Sequence, residues 1–122
     1  MLDLGSAADI AYYNRGLVYN DMQENDKAIE DFTKAIDTNP AADFAYNNRG
    51  FTYKLIGEYN KAIEDLSKAI EINPKFANPY RHLGNTYSLI GDFEKARYYI
   101  EKSIEIDPNY MEAREDLKKL ND

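Results

Sequence analysis

Apolar residues recur along this chain at helical spacing. Ala62, Ile63, Leu66, Ala69 and Ile70 fall at i, i+1, i+4, i+7 and i+8, which places them on one face of an α-helix. The other face is polar, with Glu64 and Lys68 at the supportive i, i+4 spacing. Ala28, Ile29, Phe32, Ala35 and Ile36 form the same stripe earlier, with Glu30 and Lys34 opposite. An Asn-Pro step closes both helices, because the residue before proline avoids the helical region. A second kind of helix comes before each of these. Tyr46, Gly50 and Tyr53 share one face, as do Tyr12, Gly16 and Tyr19. A mid-helix glycine costs about 1 kcal/mol relative to alanine. Its missing side chain lets another helix approach closely, and the extra apolar area hidden, at about 25 cal/mol per Å², offsets that loss. Neither kind of helix hides its stripe alone, so the pattern predicts stacked helix pairs.

The pairs repeat with a fixed period of 34 residues. Pro40, Pro74 and Pro108 keep it, as do Gly16, Gly50 and Gly84, Tyr19, Tyr53 and Tyr87, and Ala28, Ala62 and Ala96. The units run 9–42, 43–76 and 77–110. Residues 1–8 lead in, and 111–122 form a closing helix. The first two units share 18 of 34 positions, too many for chance at one offset. Gly57 and Gly91 sit in the turn between paired helices, where glycine permits positive φ. Unit one has Gln23 there, which predicts a looser or differently built turn. Ser6 with Asp9 three residues on reads as a capping box opening the first helix.

An aromatic at position 4, Gly at 8, Tyr at 11, Ala at 20, a bulky residue at 24, a small one at 27 and Pro at 32 resemble the tetratricopeptide repeat family. Those residues are Tyr12, Gly16, Tyr19, Ala28, Phe32, Ala35 and Pro40 in unit one. Unit two has Tyr46, Gly50, Tyr53, Ala62, Leu66, Ala69 and Pro74, and unit three Tyr80, Gly84, Tyr87, Ala96, Ile100, Ser103 and Pro108. The resemblance spans 102 of 122 residues. It implies an all-α, right-handed helix-turn-helix solenoid of seven helices. It also implies a concave groove lined by the first helices. The expected groove residues are Tyr13, Asn14, Leu17, Asn47, Asn48, Phe51, Lys54, Arg81, His82 and Asn85. Asparagine is a mediocre helix former, yet its amide bonds both sides of a peptide backbone. Asn14 and Asn48 share position 6, and His82 continues the ladder. One branch of the family grips acidic chaperone tails through a two-carboxylate clamp. Of the positions that clamp uses, only Asn48 matches; Tyr13, Leu17, Asn78 and His82 do not. The resemblance therefore disfavours a chaperone-tail ligand.

One departure from the family pattern is general. Position 7, usually apolar, is Arg15 and Arg49, and units with that arginine carry Asp31 and Asp65 at position 23. Unit three has Leu83 and Tyr99 instead. The residues change together, so the arginines are expected to pair with the aspartates.

Charge sharpens this picture. Formal net charge is −7, and nearly all the acid lies on the second helices. The groove is then close to neutral, and Lys54 and Arg81 make its C-terminal half mildly basic. Clustered charge of this sign predicts no nucleic-acid partner. No apolar run is long enough to span a membrane. The N-terminus lacks the basic residues of a signal or transit peptide, and there is no cysteine. A cytoplasmic setting is the default expectation. His82 is the only histidine, so nitrogen and sulfur metal sites lack ligands. The histidine itself is expected to be polar surface. No catalytic constellation and no cofactor are predicted. The leading reading is a scaffold holding a protein or peptide in the groove. Self-association of the array and a regulatory arm of a larger protein remain alternatives. Residues 111–122 place Tyr110, Ala113, Leu117 and Leu120 on one face, with Lys118 where the glycine would stand, a cap with a polar outer face. At the other end, only Leu2 and Leu4 are available to cover the first helix.

Overall fold

A Cβ built on Gly16 meets the Phe32 ring at 2.6 Å, one on Gly50 meets Leu66 Cγ at 2.8 Å, and one on Gly84 meets Ile100 Cγ1 at 2.6 Å. In this computed structural model, which describes residues 4–121 and side chains from residue 8, each glycine is thus the point where two paired helices touch. The helices are α1 (Leu4–Asp21), α2 (Asn25–Thr38), α3 (Asp43–Leu55), α4 (Tyr59–Ile72), α5 (Ala77–Leu89), α6 (Phe93–Ile106) and α7 (Met111–Asn121). Successive helices pack on one another, α1 with α2, α3 with α4 and α5 with α6 forming hairpins. The hairpins stack through α2 on α3 and α4 on α5, and α7 closes the stack on α6. The odd helices also touch in a row, α1 with α3 and α3 with α5.

The core follows the stripes. Ala28, Phe32, Ala35, Ala62, Leu66, Ala69, Ala96 and Ile100 are buried. On α7, Ala113 is buried and Lys118 is exposed, as a capping helix requires. Among the described residues, nothing covers the far side of α1 at Val18. Val18 is 55% exposed, whereas its equivalents Thr52 and Thr86 are fully buried by the preceding hairpin. Leu2 lies outside the described residues, and so does the side chain of Leu4.

Two local expectations change. Helix α1 continues back to Leu4, so Ser6 lies within the helix and not at its N-cap position. Asp9 turns instead to the next helix end, where its Oδ2 accepts from Asn39 Nδ2 at 2.7 Å. The second hairpin repeats the clip, Asn73 Nδ2 donating to Asp43 Oδ2 at 3.0 Å. In the first two hairpins the Asn before the closing proline therefore fastens the end of the even helix to the N-terminal part of the odd helix of its own hairpin. The first turn is also built like the others. Gln23 has φ 61°, matching Gly57 at 82° and Gly91 at 88°. The amide after each donates to the same place, Glu24 to Tyr19, Glu58 to Tyr53 and Asp92 to Tyr87. The hydrogen bonds hold a side-chain-bearing residue in the left-handed region, at about 1–2 kcal/mol of strain. Gln23→Gly is expected to stabilise the chain by about 0.5–1 kcal/mol net of the added unfolded-state freedom. The check is a higher urea midpoint at unchanged slope.

The arginines pair within their own hairpins. Arg15 donates from Nε and Nη2 to Asp31, both at 2.7 Å. Arg49 donates from Nε and Nη2 to Asp65 at 2.7 and 2.8 Å. Its remaining Nη1 reaches back to Thr33 Oγ1 at 3.2 Å, tying the second hairpin to the first. In the third hairpin Leu83 is buried against Ala62 and Leu66, and Tyr99 stacks on Tyr87 at 5.6 Å.

Candidate functional site

The side chains of the odd helices meet at three seams. At the first, between α1 and α3, Tyr13 packs edge-on to Phe44 at 4.7 Å. Its hydroxyl donates to Asn48 Oδ1 at 3.1 Å. Burial, with Asp43 nearby, raises the Tyr13 pKa and keeps this donor protonated. Between α3 and α5, Asn47 is buried and its Nδ2 faces Asn78 Oδ1 at 3.4 Å. Phe51 lies 4.8 Å from the His82 ring. Between α5 and α7, Arg81 Nε donates to Asp116 Oδ2 at 2.6 Å, and its guanidinium lies over the Tyr110 ring at 5.8 Å.

The expected groove residues thus divide. Asn14 is exposed, and Leu17, Asn48, Phe51, Lys54, Arg81 and Asn85 are part-exposed. Asn47 and His82 are buried, at 5% and 8% exposure. His82 is not polar surface: it fills the seam behind Phe51. Desolvation, with Lys54 and Arg81 adding positive charge, lowers its pKa to about 3, so the ring is neutral at ordinary pH. With His82 buried, the position-6 row presents Asn14 and Asn48 outward and ends at the seam. Lys54 has its ammonium 4.8 Å from the Phe51 ring centre. Burial, and then the charge of Arg81, lowers its pKa to about 8 against an opposing pull from Asp116. Asn85 and Ser88 line a cavity of about 250 Å³ between α5 and α7, with Ile100 and Leu120 among its walls.

Asp116 and Tyr110 are additions to this face. The alignment of α7 as a further first helix puts Asp116 at position 6, in line with Asn14, Asn48 and His82. That register was the available signal, and treating α7 only as a cap hides it.

Stacked helical hairpins with a shared row of odd helices define a helical-repeat solenoid. The tetratricopeptide repeat profile matches residues 10–41, 44–76 and 77–110, so the chain belongs to the tetratricopeptide repeat family, whose members generally serve as protein-interaction modules. No curated protein matches the sequence significantly. Among solved structures, it is similar to the first repeat domain of Spaghetti (RPAP3), solved bound to the HSP90 peptide SRMEEVD. That likeness has TM-score 0.90 and 25% identity over 95% of this chain and 92% of that one. The Arabidopsis OM64 repeat domain superposes with TM-score 0.92 at 21% identity, covering 96% and 97%. MamA gives TM-score 0.84 at 28% identity, covering 92% of this chain and 66% of that one.

Proposed function

We propose that the face formed by α1, α3, α5 and α7 binds an extended segment of a partner protein. The observation that carries this is Asn48. The Tyr13 hydroxyl occupies its Oδ1, which fixes the amide plane, and no described side chain or backbone group accepts from its Nδ2. A donor oriented in advance and left for a ligand carbonyl suits peptide capture, because little side-chain entropy is lost on binding. Asn14 stands exposed one repeat earlier in the same register. The RPAP3 domain, a relative in fold, was solved with a peptide bound. The clamp residues for such acidic chaperone tails are absent here except for Asn48, so the preferred segment differs. The test is a pull-down with wild-type protein against Asn14→Ala/Asn48→Ala. Partners held by the groove are expected to weaken about tenfold, the value of one or two hydrogen bonds to a pre-set group. An unchanged partner list at unchanged thermal stability retires the reading.

A second reading, self-association, is favoured by the apolar surface of α1, where Ile10 and Val18 are each more than half exposed among the described residues. Light scattering over a concentration series separates the two. A strict monomer at high concentration eliminates self-association.

A further inference from the structure

The α5–α7 end of the groove face holds more positive charge than it uses. Arg81 is engaged by Asp116. Lys54, part-buried on the neighbouring helix, makes no ion pair among the described residues, and its ammonium rests on the Phe51 ring. Lys119 lines the cavity between α5 and α7 beside Asn85, Ser88 and Asp116, and also lacks an ion pair among the described residues. Among the described residues, Asp116 is thus the one carboxylate paired with this end, bonded to Arg81 and within the electrostatic reach of Lys54, with Lys119 on the same cavity lining, in a chain whose net charge is −7. Behind them His82 is buried with its Nδ1 unpartnered and supplies no negative charge.

A part-buried ammonium without a contacting carboxylate is unfavourable, and burial together with Arg81 lowers the Lys54 pKa by more than the distant Asp116 restores. An apolar residue would cover Phe51 without this penalty. The arrangement gains only when an anion arrives, since an incoming carboxylate relieves the desolvated charge in a site already formed. The cavity that Lys119 and Asp116 line is walled by the polar Asn85 and Ser88 and the apolar Phe93, Ile100 and Leu120, which suits a small apolar side chain next to the acid.

We infer that this corner is a subsite for an acidic residue of the bound peptide, with Lys54 and Lys119 meeting its carboxylate and the α5–α7 cavity receiving an adjacent apolar side chain. The inference rests on the groove reading above and specifies its ligand. Neither lysine occupies a clamp position of units one to three: Lys54 is position 12 of unit two and Lys119 belongs to α7, so the ligand lies in a different register. In the empty groove Asp116 acts as the internal competitor, holding Arg81 away from the ligand.

The test is an NMR titration of the full chain with two blocked peptides, Ac-Ala-Leu-Glu-Ala-Leu-Glu-Ala-NH2 and its Gln-for-Glu counterpart. The Gln peptide with a free C-terminus serves as a third arm. The Glu peptide is expected to shift Lys54, Asn85 and Lys119 and to bind at least fivefold more tightly than the blocked Gln peptide. Lys54→Gln and Lys119→Gln should abolish that preference while leaving Gln-peptide binding alone. Asp116→Asn should tighten Glu-peptide binding severalfold by releasing Arg81, a direction that loosened packing does not produce. A preference shown only by the free-C-terminus peptide assigns the subsite to a chain-terminal carboxylate. Equal binding of all three peptides, or no shift at these residues with any, overturns the subsite. Shifts at Asn14 and Asn48 that persist with equal affinities leave the groove reading standing without it.

Discussion

Asp65→Ala is expected to lower the unfolding free energy by about 3–5 kcal/mol, because it strands a mostly buried guanidinium. Arg49 is only 18% exposed at its side chain, and its two bonds to Asp65 are parallel and short. With Asp65 gone, Thr33 remains as a single neutral acceptor. Asp31→Ala, the same change one hairpin earlier, should cost clearly less, since Arg15 is half exposed and recovers its partner from water. The decisive comparison is Arg49→Leu together with Asp65→Tyr, which writes the third hairpin's residues into the second. Burial pushes the Asp65 pKa up even though Arg49 pulls it down, so the pair does not fully recover its desolvation. Apolar replacements of similar size are often neutral or better in such places. The double variant should therefore fall within about 1 kcal/mol of wild type. Urea unfolding of both singles and the double measures the coupling. Additive losses would falsify the account.

Gly84→Leu is expected to be the most damaging change at a helix contact, costing at least about 3 kcal/mol out of the 5–15 typical of a domain. A Cβ there lies 2.6 Å from Ile100 Cγ1 and 2.9 Å from the carbonyl oxygen of Ala96. The side chain can shift; the backbone oxygen, held in α6, cannot without moving the helix. Gly16 offers the contrast. Its Cβ would meet only the Phe32 ring among its nearest neighbours, at 2.6–3.0 Å, and a ring can tilt. Alanine at each site gives the graded version: the gain in helix propensity, about 1 kcal/mol, opposes the overlap, and Gly84→Ala should be worse than Gly16→Ala. Thermal melts of the two variants check the order. If both match wild type, the helices are not in contact at these glycines.

The helices themselves were readable because each reports through short-range spacing. The stripe from Ala62 to Ile70, the glycine between tyrosines and the proline stop after Asn or Asp each lie within a few residues, and a fixed 34-residue period brings the glycine and the proline back three times. The Arg–Asp pairs were readable for a related reason. Arg49 and Asp65 change to Leu83 and Tyr99 together, so three copies act as an internal comparison. The same logic was available for the Asp9–Asn39 and Asp43–Asn73 clips, since the third hairpin has Ala77 and Asp107 at those places. The turn at Gln23 misled because glycine's absence suggests a different backbone. The hydrogen bonds closing the turn outweigh the strain of a left-handed glutamine.

Family and periodicity therefore determined the helices, their pairing and the row of odd helices, because those depend on which residues lie three, four or thirty-four apart. Tertiary structure alone decided what happens between odd helices. Whether position 5 or 6 faces outward or fills a seam depends on how each hairpin seats against the last. In the assembled stack Asn47 and His82 are buried, Asn14 is exposed, Tyr13 orients Asn48, and Asp116 reaches Arg81 across 35 residues. Contacts between different repeat positions produce no periodic signal, so they become visible only once the stack has formed.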